Sequence, residues 1–272
     1  MKTSKATQSE KAQRFEALHT RPGVFVIPNP WDVGSARMLE SLGYEALATT
    51  SAGYAFSTGR LDGAVGLNEM IEHCRVLCAC TKLPVSADLE NGYADDPKTA
   101  AQALMLGAQA GLVGGSIEDF SGKTTYDFAL AVERVQAAAE AVKKLPFKFM
   151  FAARADGLLH GTTDHDEIIR RLQAFEAAGA DVVYAPGLKT LEELRRMTSA
   201  LKKPFNANMS SFPTATVAQL GEAGAKRIST GGGLARAAIG AFLRAAREMQ
   251  APGTFTWIES AASGAEMKKL LG

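Results

Sequence analysis

Four segments carry polar groups at a spacing that can do chemistry: ALATTSAG (46–53), PVSADLENGY (84–93), LVGGSIED (112–119) and FMFAARAD (149–156). Side chains of an extended chain alternate between two faces. Ser86, Asp88 and Glu90 therefore share a face, opposite the apolar Val85, Ala87 and Leu89. The same alternation groups Gly114, Ser116 and Glu118, then Met150, Ala152, Arg154 and Asp156, and on the first segment Leu47, Thr49 and Ser51. Ser51, Ala52 and Gly53 then open a loop whose small residues let backbone N–H groups approach an anion. Asp88, Glu90 and Glu118 at one mouth would repel one another and raise each other's pKa unless a cation stands among them. Mg²⁺ suits such a set, because it takes oxygen ligands, keeps several waters and needs only one or two carboxylates directly. The pattern predicts Asp88 as a direct ligand, with Glu90 and Glu118 acting through water. A salt-bridge network with Arg154 is the alternative, disfavoured because no Lys or second Arg is evident at these strand ends.

These segments belong to a longer rhythm. From residue 24 onward, short apolar runs alternate with amphipathic stretches, several ending in glycine, which is the pattern of repeated βα units. Eight strands are predicted, at 25–29, 46–51, 84–90, 112–119, 149–156, 181–186, 205–209 and 227–230, each followed by a helix. The chain of 272 residues then reads as one domain, an α/β protein of (β/α)₈ TIM-barrel type with its core over about residues 24–249. A leading helix near 7–18 would cap the bottom of the barrel or lie outside it, and 250–272 forms a C-terminal tail. A doubly wound sheet is the competing architecture, but NPWDVGSA stands where a G-x-G-x-x-G turn would follow the first strand. Active sites of barrels lie at the carboxyl ends of the strands, where the acids above fall.

Composition narrows the partners. Lys and Arg total 30 against 29 Asp and Glu, so no excess of positive charge favours nucleic acid or an anionic membrane. No apolar run approaches the length of a membrane span, and residues 1–22 contain no apolar signal core, so a cytoplasmic location is expected. Cys74, Cys78 and Cys80 lack zinc-site spacing and read as a reduced, buried helix face. His73, His160 and His165 show no ligand pattern. GGGLARAA (231–238) is similar to a phosphate-cradling glycine loop at a helix start, but reads by itself as a turn. Phe255 and Trp257 read as anchors of the tail or as a dimer contact.

ATTSAGYAFSTGRLDG, PVSADLENGY, GSIED and AARAD, in this order, resemble the isocitrate lyase/phosphoenolpyruvate mutase superfamily over roughly residues 22–249. The resemblance implies a barrel that binds Mg²⁺, with Mn²⁺ as a substitute, and a small 2-oxo or 2-hydroxy carboxylate whose C–C or P–C bond is broken or formed. Carried onto this sequence, it implies that Ser51, Ala52 and Gly53 hold the substrate carboxylate and that Asp62 binds a metal water. It also places Asp88, Glu90 and Glu118 at the metal and Arg154 against the substrate's anionic group, with Asn206 as a further substrate contact. Homodimers or homotetramers with exchange of the last helix are implied as well. The K-K-C-G-H segment of isocitrate and methylisocitrate lyases is missing: DFSGKTTYDFALAVERV follows Glu118, leaving Lys123 or Tyr126 as proton donors or the loop simply solvated. The expectation is a Mg²⁺-dependent carbon–carbon lyase, with a phosphonomutase or phosphonopyruvate hydrolase as the alternative and a non-catalytic metabolite sensor as a third possibility.

Overall fold

Short runs rich in alanine and β-branched residues, with polar groups confined largely to one face, form eight parallel strands in the computed structural model, which describes residues 6–272. Residues 1–5, part of the stretch read for a signal, lie outside the described residues. The strands are β1 (Phe25–Ile27), β2 (Leu47–Ala48), β3 (Val85–Asp88), β4 (Gly114–Glu118), β5 (Met150–Arg154), β6 (Val182–Tyr184), β7 (Phe205–Asn208) and β8 (Ala225–Ser229). Each pairs in parallel with its sequence neighbour from β2 through β8, and β8 pairs with β1. The seam between β1 and β2 is bridged by the Ala48 N–H donating to the Pro28 carbonyl at 3.0 Å and by Asn29 Nδ2 donating to the Thr49 carbonyl at 2.8 Å. The sheet is thus a nearly closed barrel of the expected TIM type.

The helices are α1 (Gln8–Thr20), α2 (Val33–Ser41), α3 (Ser51–Ser57), α4 (Leu67–Cys80), α5 (Pro97–Gln109), α6 (Phe128–Val142), α7 (His165–Ala178), α8 (Leu191–Ser199), α9 (Val217–Glu222), α10 (Gly233–Gln250) and α11 (Gly264–Leu271). Asp32, Asp96, Asp164, Thr190 and Thr216 stand at N-caps and accept bonds from otherwise unpaired amides of the first turns. A helix follows each strand as expected, with one correction at the site. Ser51–Gly53 is no loop but the first turn of α3, capped by Thr50 Oγ1, which accepts from Gly53 N at 3.1 Å. β2 ends at Ala48, and Thr50, two residues on, is the N-cap of α3. β8 begins at Ala225, two residues before the expected start.

The leading helix caps the bottom of the barrel. Phe15 of α1 is fully buried among Ile27, Ala48, Val113, Met150, Ala152 and Val182. A Cβ at Gly114 would lie 2.7 Å from Phe15 Cε1, so glycine is needed there for the ring to enter. Outside the barrel, Val85, Ala87, Leu89, Ile117, Phe149 and Phe151 pack under the helices, as their alternation predicts. On β2 the faces are the reverse of the expected ones: Leu47 packs outward on Ala36, Leu39 and Leu77, while Ala48 faces the interior. Cys74 and Cys78 are buried free thiols, and burial pushes the Cys78 thiol up to about 12. α11 packs on α2, whereas Ile239, Phe242 and Leu243 leave an apolar stripe of α10 exposed. No helix among the described residues is long and apolar enough to cross a membrane.

Two imidazoles are enclosed by this packing. Burial pulls the pKa of His19 down to about 3 and that of His73 down to about 4, so both stay neutral in the fold. Below an unfolded pKa of about 6.5 the unfolded chain therefore binds more protons than the native one, and stability falls as pH drops. Urea unfolding should show a loss of about 1.4 kcal/mol per pH unit for each ring between about pH 6 and pH 4. The variant H19L/H73L should flatten this part of the profile, and an unchanged slope would refute the assignment.

Candidate active site

Arg154, at the carboxyl end of β5, is the centre of the mouth. Its guanidinium donates from Nη1 to Asp88 Oδ1 at 3.0 Å and from Nη2 to Asp156 Oδ2 at 2.7 Å, and Nη2 lies 3.0 Å from Glu118 Oε2. Nε completes a fork on Asp156 at 3.2 Å. The strand register makes the meeting inevitable, since Asp88 is level with Ser116 on β4 and Glu118 is level with Arg154 on β5. The side chains of Arg154, Asp88 and Glu118 are largely buried, and Tyr184 lays its ring 5.2 Å from the guanidinium carbon.

The acids outnumber this one cation. Burial raises the Glu118 carboxyl well above its usual range, with Asp156, Asp88 and Glu90 adding to the rise and Arg154 opposing it. Burial and the charges of Asp88 and Asp62 likewise push Glu90 up to about 7. Glu90 Oε1 is buried without a hydrogen-bond partner. An unmatched carboxylate oxygen beside Asp88 is what a hydrated hard cation would satisfy, so the donor set fits Mg²⁺. Among the described residues no three acidic or thiol/imidazole side chains close on one point, so the fit is to an ion held by one or two carboxylates with water between it and the others.

The loop after β3 holds these acids by backbone strain and long-range hooks. Glu90 and Tyr93 both have left-handed φ values, 48° and 59°, and flank Gly92 at 75°. A Cβ on Gly92 would stand 2.8 Å from the Ala100 carbonyl oxygen. Arg134 of α6, 1% exposed, donates to the carbonyls of Asn91, Ala94 and Asp95 and lies over the Tyr126 ring at 4.2 Å. Tyr126 donates to Asp95 Oδ1 at 2.6 Å and accepts from Asn91 Nδ2 at 2.9 Å. Behind Arg154, the Asp156 N–H donates to Asp119 Oδ1 at 2.8 Å, and Asp119 Oδ2 accepts from Arg171 of α7 at 3.1 Å. Alternation along single strands gives no sign of Asp119, Arg134 or Arg171. Their roles come from neighbouring units of the barrel.

Above the strands lie two adjoining cavity lobes of about 470 Å³ and 590 Å³, which share Ser51, Asp62, Asp88, Arg154 and Leu159. Glu90, Glu118, Asp156 and His160 line the second lobe, where the His160 ring stacks on Phe120 with centroids 3.4 Å apart. Ala52, Asn206, Asn208, Ser229 and Arg227 line the first. Asp88, Glu90, Glu118, Asp62, Arg154, Ser51, Ala52 and Asn206 are thus all drawn to one mouth. Ser51 Oγ donates to Asp88 Oδ2 at 3.2 Å, and Asp62 is exposed at the rim.

Gly53 departs from its expected place: it lines neither lobe, its N–H is bound to Thr50, and a Cβ there would collide with Thr50, Trp31 and Ala235. It is a packing glycine. Asn206 is buried beneath the first lobe, donating to Ser229 Oγ at 3.0 Å and accepting from Arg227 Nε at 2.8 Å. Arg227 is a second arginine in the barrel, on β8 rather than at the acid-bearing ends of β3 and β4, and it lines the first lobe but not the second. Tyr126 is engaged with Asp95 and Asn91 and lines neither lobe, and Lys123 is exposed on its loop.

A parallel eight-stranded barrel with acids, one paired arginine and a helix start at the carboxyl ends of its strands defines an enzyme-type site for small anions. The profile of the phosphoenolpyruvate phosphomutase family matches residues 15–250, and the chain belongs to that family, within the PEP mutase/isocitrate lyase superfamily of lyases, mutases and hydrolases. A crystal structure from Burkholderia cenocepacia J2315, described provisionally as a lyase/mutase, is 50% identical, with a TM-score of 0.94 and 96% of each chain covered. The crystal structure of 2,3-dimethylmalate lyase is 27% identical with a TM-score of 0.84, covering 98% of this chain and 95% of that one. The 2-methylisocitrate lyase of Halalkalibacterium halodurans is 27% identical over 227 residues, which is 80% of this chain and 75% of the relative.

The Arg134 hook provides a test of how the site is held. Arg134→Met would leave the carbonyls of Asn91, Ala94 and Asp95 without this donor, and each unmatched buried group costs about 1–3 kcal/mol. Urea denaturation should show a loss of about 3 kcal/mol or more. A loss below about 0.5 kcal/mol, the range of ordinary surface substitutions, would contradict the hook.

Proposed function

We propose that the protein is a Mg²⁺-dependent lyase that cleaves a carbon–carbon bond in a small 2-oxo or 2-hydroxy carboxylic acid. The observation that carries this reading is the cluster of Asp88, Glu90 and Glu118 around Arg154, with a carboxylate oxygen of Glu90 left unmatched. Two of the relatives named above are lyases. Asp88 would hold Mg²⁺ directly, with Glu90, Glu118 and Asp62 acting through water, and Mn²⁺ would substitute. When bound, the ion supplies Lewis acidity toward the substrate's oxygens. Ser51 Oγ and the first amides of α3, from Ser51 and Ala52, bind the substrate carboxylate at a helix start. Arg154 matches the negative charge that grows on the departing half, and Glu118 and Asp156 fix its guanidinium in that position. Cleavage of a 2-hydroxy acid leaves the bonding electron pair on the departing half as an enolate and converts the alcohol to a carbonyl. The hydroxyl proton leaves and the enolate gains one. The connection after Glu118 carries no cysteine or histidine for that donation, which separates this chain from a conventional isocitrate lyase.

The match to the phosphomutase profile favours a second reading, in which the same site acts on a P–C bond. A panel of oxaloacetate, methylisocitrate, isocitrate and phosphonopyruvate, followed by NMR, separates the two. Pyruvate or another oxo acid from a C–C substrate is expected, without phosphate; phosphate or a rearranged phosphonate would replace the lyase reading. Asp88→Ala should lower turnover at least 10³-fold, on the order of 4 kcal/mol of transition-state stabilisation, with an unchanged circular dichroism spectrum. Full activity in metal-free buffer would contradict the assignment. The exposed Ile239, Phe242 and Leu243 on α10, with Phe255 and Ile258 in the tail, support a homodimer or homotetramer. Light scattering should give two or four chains, and a monomer at micromolar concentration would refute it.

A further inference from the structure

The enolate left by the proposed cleavage needs a proton, and the obvious donors are engaged elsewhere. Tyr126 is bound to Asp95 and Asn91, no cysteine or lysine lines either lobe, and the carboxyls of the second lobe face Arg154 or the proposed ion. Of the four histidines, His19 and His73 are buried away from the mouth and His165 sits 3.7 Å from Glu193. Only His160 lines a lobe, together with Glu90 and Glu118. Its ring lies flat on Phe120, with centroids 3.4 Å apart and planes inclined by 5°. A stacked ring keeps its nitrogens at the free edge, and neither nitrogen of His160 has a hydrogen-bond partner among the described residues. Both sides of the stack are anchored. The turn after Phe120 is closed by the Ser121 N–H donating to the Thr124 carbonyl at 2.9 Å and by the Tyr126 N–H donating to the Asp119 carbonyl at 2.8 Å. His160 ends a 3₁₀ turn, Gly157–His160, that starts from Asp156, the carboxylate forked on Arg154. That turn is tightly packed: a Cβ on Gly187 would stand 2.9 Å from Leu158 Cβ, and one on Gly157 would stand 2.9 Å from Ile168 Cδ1. Leu159 of the same turn lines both lobes, so the turn lies at the border between them. The imidazole is therefore fixed to the same scaffold as the guanidinium.

We propose that His160 is the general acid of the reaction, donating a ring N–H proton to the enolate carbon from the wall of the second lobe. The proposal rests on the bond-cleaving function above, though not on which bond is cut. Imidazole exchanges protons near neutral pH, and a placed general acid contributes about 10²–10⁴-fold in rate. The electron pair of the broken bond becomes the new C–H bond, the imidazolium becomes imidazole, and the exposed ring regains its proton from water. Phe120 is the positioning residue, because its contact sets the plane in which the N–H points. The donor then comes from the unit of β5, and the connection after Glu118 needs none of its own.

Steady-state kinetics of the full chain in Mg²⁺ on oxaloacetate, methylisocitrate, isocitrate and phosphonopyruvate test this. His160→Phe keeps an aromatic ring for Phe120 and removes the transferable proton. It should lower kcat at least 100-fold with KM within about threefold, while circular dichroism reports a folded barrel. His160→Ala should lose as much and regain at least tenfold when imidazole is added. A stack that served structure alone would be satisfied by His160→Phe and indifferent to imidazole. Cleavage of a C–C substrate that survives intact in His160→Phe therefore overturns the inference and leaves the lyase reading standing. Release of phosphate and pyruvate from phosphonopyruvate that fails in His160→Phe means the reverse: the lyase reading falls and His160 stands. A 100-fold loss in Tyr184→Phe with none in His160→Phe would move the donor to the first lobe and also overturn the inference. A wild type that turns over none of the four substrates leaves no enolate to protonate, and both readings fall.

Discussion

The site is organised by one guanidinium facing three carboxylates. Arg154 meets Asp88 and Glu118 at 3.0 Å and Asp156 at 2.7 Å in a largely buried setting, where each unmatched charge is costly. Removing the arginine would leave three acids facing one another. Keeping it still leaves negative charge in excess once Glu90 and Asp62 are counted at the same mouth. The excess is not a packing accident, because Asp119 and Arg171 fix Asp156 from behind while Arg134 fixes the loop that carries Glu90. The surrounding fold holds these acids close together against their mutual repulsion.

The barrel makes this possible through register. Adjacent parallel strands bring Asp88, Glu118 and Arg154 to one rim, and the α1 plug at the other end closes the interior so that the rim is the open side. β8 and the start of α10 then contribute an unmatched cation to the opposite wall. The mouth is therefore dipolar, with surplus acid beside β3 and β4 and surplus base beside β8.

Much of this was legible because β3, β4 and β5 are long enough for alternation to have one solution. Asp88, Glu118 and Arg154 follow from period 2 and from the rule that barrel chemistry lies at strand carboxyl ends. Ser51–Gly53 was harder, since β2 has two residues and Thr50 turns the chain into a helix at once, so that Gly53 becomes a contact beneath Trp31 and Ala235. Arg227 lies within the expected eighth strand and shares a face with Ser229 by alternation, but only the closed barrel shows that this face meets the lobe and that its partner is Asn206. Arg134 and Arg171 act on carbonyls and carboxylates about 40 to 50 positions away, and no local pattern encodes such reach.

The central claim is that the acidic rim is completed by a divalent cation at Asp88. Anomalous scattering from crystals soaked in Mn²⁺ tests it most directly. The account predicts a peak within direct bonding distance of the Asp88 carboxylate, with Glu90, Glu118 and Asp62 reached through ordered water, and no peak in Asp88→Ala. A clean map at this rim, with Arg154 alone balancing the acids, or a peak elsewhere in the chain, would contradict it.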